Sequence, residues 1–190
     1  MKKILIISVF IFLVINIFSQ NTWRIDNANS NVTFAIDWMQ NSHRTGEFKI
    51  FEGDIIIPTD NTFDNAKVDF SIEASSIDLI ASNLISTVQG EEYLDTKNYP
   101  KILFQSTSIK KKHKKNYEVK GKLTIKDITR DVDFELEDNG IIEYEGRQYG
   151  AVTVTGKLKR SDFKIYGGGD RLGDNINITA YFQITKIIVQ

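Results

Sequence analysis

The chain has 190 residues with 24 basic and 25 acidic side chains, so it lacks the positive excess by which proteins hold nucleic-acid phosphates. It has no cysteine and two histidines, which excludes disulfides, thiolate metal centres and cysteine nucleophiles. The first 19 residues have the form of a secretory signal: Met1-Lys2-Lys3, an apolar run from Ile4 to Val14, and Ile17-Phe18-Ser19 at the cut. Cleavage after Ser19 predicts an exported protein, periplasmic or secreted, with a mature domain over 20–190 carrying 22 basic and 25 acidic residues. An uncleaved anchor is the alternative, although the run is shorter than the about 20 residues a span needs.

Beyond the signal, apolar residues recur at every second position, the period of a strand with one buried and one wet face. Eight strands are predicted, over 23–38, 46–57, 66–74, 101–109, 116–125, 130–139, 148–160 and 174–188. Pro58-Thr59-Asp60-Asn61 ends the second strand. Asp138-Asn139-Gly140 and Glu145-Gly146 bracket a loop before the seventh, and Gly167-Gly168-Gly169-Asp170 reads as a flexible turn before the last. The period breaks between Asp78 and Thr96, where Ile80, Leu84 and Val88 stand four apart; a short helical insertion over about 78–96 is predicted there, as lid or plug across one end of a barrel.

The run Lys110-Lys111-Lys112-His113-Lys114-Lys115 falls where a hairpin turn is expected. One reading is a solvated turn that discourages edge pairing. The other is transient contact of Lys110, Lys111, Lys112, Lys114 and Lys115 with an anionic membrane surface. Catalytic chemistry finds little support. His43 is placed in a turn and His113 in the lysine run, neither with the orienting partner a general base needs. Asp131 and Asp133 point outward on a strand. Arg160 and Asp162 lie two apart, which fits an ion pair or, alternatively, a guanidinium fork offered to a phosphate head group. No catalytic residue, metal site or cofactor is assigned.

Several local patterns resemble the YceI-like family of polyisoprenoid-binding proteins. They are Trp23-x-Ile25-Asp26 with Ser30-x-Val32-x-Phe34, Gly46-x-Phe48 with Phe51-x-Gly53, and Ser76-Ile77-Asp78. Further along come Lys97-Asn98-Tyr99-Pro100-Lys101-Ile102-x-Phe104, Val119-x-Gly121-x-Leu123-Thr124-Ile125-Lys126-Asp127-Ile128-Thr129 with Asp127 in the place of the family's second glycine, Arg160-Ser161-Asp162-Phe163, and Gly173-Asp174-x-Ile176-x-Ile178. The resemblance implies an all-β fold: an extended, lipocalin-like, eight-stranded antiparallel barrel around a long isoprenoid chain. Asn29, Trp38 and Thr87 stand where the family usually has histidine. At Trp38 an indole on the inward face leaves a single N–H donor.

Eight strands enclose just enough room to be filled by side chains or to hold one small ligand. The residues predicted to line the interior are Phe34, Ile36, Trp38, Phe48, Phe70, Ile72, Phe104, Val119, Leu123, Phe134, Val152, Val154 and Phe182. Small inward residues at Ala74, Ser106, Gly121 and Gly156 leave space for a hollow. The predicted function is non-catalytic binding of a long apolar lipid, an isoprenoid such as a quinone or polyprenyl compound. A packed structural or protein-interaction barrel is the alternative, and a lipid-processing enzyme a third reading.

Overall fold

The computed structural model describes residues 21–58 and 62–188; the secretory signal expected over residues 1–19 lies outside them. The strands in chain order are β1 (Asn21–Ile25), β2 (Asn31–Trp38), β3 (Ser42–Phe48), β4 (Phe51–Ile57), β5 (Lys67–Glu73) and β6 (Ile77–Leu79). After the insertion come β7 (Lys101–His113), β8 (Asn116–Ile125), β9 (Ile128–Tyr144), β10 (Arg147–Lys159) and β11 (Leu172–Lys186). Eight of them close a ring in the order β1, β4, β5, β7, β8, β9, β10, β11 and back to β1, with every pairing antiparallel. Closure leaves no open edge along this ring. At one end β2, β3 and β6 extend the wall outward from β11.

The first two predicted strands are each split by a bend. Asp26 accepts the Ala28 N–H at 3.0 Å and Asn29 Nδ2 at 2.8 Å, fixing a turn over Asn27–Asn29 between β1 and β2. Asn27 then bridges to the second bend, donating to the Lys49 carbonyl at 3.0 Å and accepting the Phe51 N–H at 2.8 Å. Each bend turns the inward face by one residue. Trp23 and Ile25 are buried at odd positions in β1, whereas Val32 and Ile36 are buried at even positions in β2.

Later in the chain the strands run longer than their periodicity suggested. β9 continues through Asp138-Asn139-Gly140, which forms a bulge rather than a turn: the register slips opposite Ala151 and Val152, and Gly140, at φ 111°, donates its N–H to Asp138 Oδ1 at 2.8 Å. The reversal comes at Glu145-Gly146, both at positive φ as a tight right-twisted hairpin requires. β7 likewise carries the lysine run out to His113, so only Lys114-Lys115 form the turn. Lys112 pairs with Glu118 at 2.9 Å, and Lys110 donates to Asn65 Oδ1 at 2.6 Å.

The insertion contains one α-helical turn, α1 (Ile85–Val88), preceded by a 3-10 turn over Ser82–Leu84. Ile80 lies outside both and is 89% exposed. Ser82, Asn83, Ser86 and Thr87 are weak helix formers, and no side chain caps the start, so the spacing of four does not propagate. Residues 89–99 are held by turn bonds such as Leu94 N–H to the Val88 carbonyl at 3.1 Å.

The register gives the molecule two distinct ends. A rim carries Trp38, the insertion and residues 160–172. A base carries the β7–β8 and β9–β10 turns and Phe63, which is buried edge-on against Tyr117 with ring centroids 5.8 Å apart.

Candidate functional site

The inward side chains enclose two adjoining chambers. The one nearer the base has a volume of about 160 Å³ and is lined by Phe70, Phe104, Phe134, Phe182, Val119, Leu123, Val152, Val154 and Ile72, among other apolar residues. The one nearer the rim has about 420 Å³ and takes in Ile36, Trp38, Ile77, Leu79, Leu84, Val88, Tyr93 and Ile165. Phe34, Phe48, Ile102, Ile125, Leu158 and Ile178 line both and form a collar between them. All thirteen interior residues named from periodicity therefore lie on the wall of one chamber or the other. Ile77, Ile102, Ile125, Leu158, Ile165 and Ile178 belong to the same wall and were not singled out.

Why the phenylalanines leave a hollow is visible in their partners. Phe34 lies across Gly46, Phe70 across Gly53, Phe104 across Gly121 and Phe134 across Gly156. A Cβ on any of these glycines would come within 3 Å of the ring, at 2.1 Å from Phe134 Cδ1 in the case of Gly156. Each ring thus occupies the space beside a glycine of a neighbouring strand where a side chain would otherwise stand, an aromatic cover for a glycine in a sheet. Tilted and edge-on contacts complete the wall, with Phe70–Phe182 at 5.2 Å and Phe104–Phe134 at 5.6 Å. Of the small residues expected to make room, Gly121 and Gly156 do so by receiving a ring. Ser106 instead turns its hydroxyl to accept the Val68 N–H at 2.8 Å.

At the rim, Arg160 is 9% exposed and spends all five N–H groups on backbone carbonyls. Nε donates to Gly173 at 2.9 Å, Nη1 to Ile165 at 2.7 Å and Gly167 at 2.9 Å, and Nη2 to Gly169 at 3.0 Å and Leu172 at 2.9 Å. None goes to Asp162, so the ion pair considered from the two-residue spacing does not form, and no donor is left for a head group. Two of the five, to Gly167 and Gly169, hold the Gly167-Gly168-Gly169 stretch, expected as a flexible turn. Gly167 further packs against the Tyr93 ring and donates to the Glu92 carbonyl at 3.0 Å, docking the insertion onto this loop.

Two other arginines reach the mouth of the rim chamber. The Arg44 guanidinium stands 4.8 Å from the centre of the Trp38 ring and that of Arg171 stands 5.8 Å from it. Arg44 shares the inward parity of Gly46 and Phe48, which begins two residues before the predicted start of that strand. His43 lies on β3 rather than in a turn, and its Nδ1 is 2.9 Å from Asp37 Oδ1 on the solvent side. Asp174 accepts the Ser161 N–H at 3.0 Å and its hydroxyl at 2.9 Å. Partial burial opposes its charge, but those two bonds, with Arg160 and Lys159 nearby, outweigh it and hold the carboxyl below its ordinary value of 3.8.

This arrangement offers apolar walls against which an apolar chain could lie. Comparison with known proteins places it among similar barrels. A UPF0312 protein of Staphylococcus aureus strain N315 is 30% identical over 167 residues, covering 82% of this chain and 92% of its own. One from Photorhabdus laumondii is 31% identical over 134 residues, covering 70% and 68%. Among solved structures, BcnA of Burkholderia cenocepacia superposes with a TM-score of 0.72 at 24% identity over 84% of this chain and 98% of its own. A polyisoprenoid binding domain from Saccharophagus degradans, implicated in plant cell wall breakdown, gives 0.66 at 11% identity over 87% and 98%. At these identities the two structures speak to the fold. The YceI-like domain profile matches residues 23–184, from the first buried tryptophan of β1 to the last buried isoleucine of β11, and the protein belongs to the YceI-like family.

Proposed function

We propose that this barrel binds one long-chain apolar lipid, an isoprenoid such as a quinone or polyprenyl compound, and carries or sequesters it without chemical change. The reading rests on one observation above the rest: two adjoining chambers with mostly apolar walls that share a collar of six residues, the outer one reaching the rim. The base chamber alone is about the size of an engineered apolar cavity of roughly 150 Å³ that stays dry and takes up benzene. A tail threaded through the collar would gain roughly 0.8 kcal/mol per buried methylene, less the cost of ordering the ligand. Tens of carbons therefore suffice for tight binding with few polar contacts. The polyisoprenoid binding named for the Saccharophagus domain supports the choice of tail, and the signal read in residues 1–19 supports export to the periplasm or beyond.

Native mass spectrometry of mature protein from an exporting bacterial host, with extraction of bound lipid, tests the reading. A stoichiometric adduct whose mass matches a quinone or polyprenyl compound is expected. Apo protein that also refuses added prenyl alcohols of increasing length would replace it with the packed-barrel alternative.

A further inference from the structure

We propose that the rim is a docking face for an anionic phospholipid bilayer, placing the mouth of the lumen against the membrane so that cargo exchanges without crossing bulk water. The inference rests on the lipid-carrying function proposed above and adds to it the partner from which the lipid comes.

The first observation is an apolar fringe. Ile80 is 89% exposed, Tyr166 64% and Met39 53%, with Leu84 partly exposed beside them. All four belong to segments that surround the mouth: Ile80 and Leu84 line it, and Met39 follows Trp38 and donates its N–H to the Arg171 carbonyl at 2.8 Å. Tyr166 sits in the loop whose carbonyls on either side, at Ile165 and Gly167, are clamped by Arg160. Exposed apolar side chains are ordinary when scattered; gathered round the opening of an apolar cavity they mark a contact.

The second observation is charge. Arg44 and Arg171 both stand within 6 Å of the Trp38 ring. None of the ion pairs among the described residues includes either arginine, and the carboxylate of Asp37 beside Trp38 is taken by His43. Two guanidiniums left without carboxylate partners, one indole between apolar and polar surroundings, and protruding isoleucine and methionine match the layered chemistry of an anionic membrane interface. The third observation is orientation. The lysine run lies at the base, where Lys112 is paired with Glu118 and Lys110 with Asn65. A bilayer held there would face the end away from the mouth.

Flotation with phosphatidylcholine vesicles, with and without phosphatidylglycerol, decides the matter. Wild type should float with the anionic vesicles. Ile80→Asp, and separately the Met39→Asp/Tyr166→Asp pair, should each lower that partitioning about tenfold. Arg44→Gln and Arg171→Gln should lower it roughly fivefold each, and Lys114→Gln/Lys115→Gln should leave it within about twofold. Equal flotation with neutral vesicles, or loss confined to the lysine variant, overturns the proposal. So does a concentration-dependent dimer, seen by sedimentation without vesicles, that Ile80→Asp abolishes, because the fringe is then covered by a second copy. A prenyl alcohol titrated in vesicle-free solution separates the two layers of inference. Prenyl binding with no flotation removes the docking face alone, whereas no prenyl binding removes the carrier function beneath it.

Discussion

Gly156 and Phe134 show how one missing side chain can determine whether a barrel is hollow. With a Cβ at 156 placed 2.1 Å from the Phe134 ring, Gly156→Ala must drive the ring off the wall and into the base chamber. The expected result is a folded barrel destabilised by about 1–3 kcal/mol that has lost its longest ligands first. Thermal denaturation and titration with a prenyl chain-length series would check both halves; unchanged length selectivity would count against the ring as a calliper. Arg160 makes the complementary point for polar groups. Arg160→Lys keeps the charge but not the five-donor fork, so several carbonyls of the 165–173 loop lose their partner. A loss of about 2–4 kcal/mol in unfolding free energy is expected, with earlier proteolytic cleavage in that loop. Wild-type stability in the lysine variant would show that the fork is dispensable.

At the scale of elements, the turn over Arg160–Phe163 is closed at its start by the Asp174 carboxylate across the loop. Because the folded value lies below the ordinary 3.8, this contribution is present at neutral pH and is lost as pH falls from about 3.8 through the folded value. Asp174→Asn should therefore flatten the acid limb of a urea-midpoint-against-pH curve, and an acid limb identical to wild type would refute the assignment. Elements were legible in the sequence where the period of two was long and unbroken, as in β8 and β10. The bends at Asn27–Asn29 and Lys49–Ile50 left a mark that alternation within each segment hides: buried positions change from odd to even between Ile25 and Val32, and back between Val32 and Phe51. The bulge at Asn139 was harder to see, because Asp-Asn-Gly is turn chemistry and only the partner strand determines that the chain continues straight. The helical insertion was overextended for a related reason, since apolar residues four apart can be scattered by loop bonds that composition does not specify.

For the whole molecule, the closed ring made the interior readable from inward parity alone, which is why the periodic residues fall on the lumen wall. The rim was less legible. Its character comes from residues distant in sequence, Trp38, Arg44, Ile80, Arg160 and Arg171, that only the closure of β11 on β2 and of β3 on β6 brings to one end. The same closure gives the protein an optical property. Its two tryptophans lie at opposite poles, Trp38 at the mouth between two cations and Trp23 sealed within the β1 wall beside β4 and β11. Intrinsic fluorescence therefore carries two separable signals without any label: quenching or a spectral shift of Trp38 follows traffic through the mouth, while Trp23 stays constant until the barrel itself comes apart.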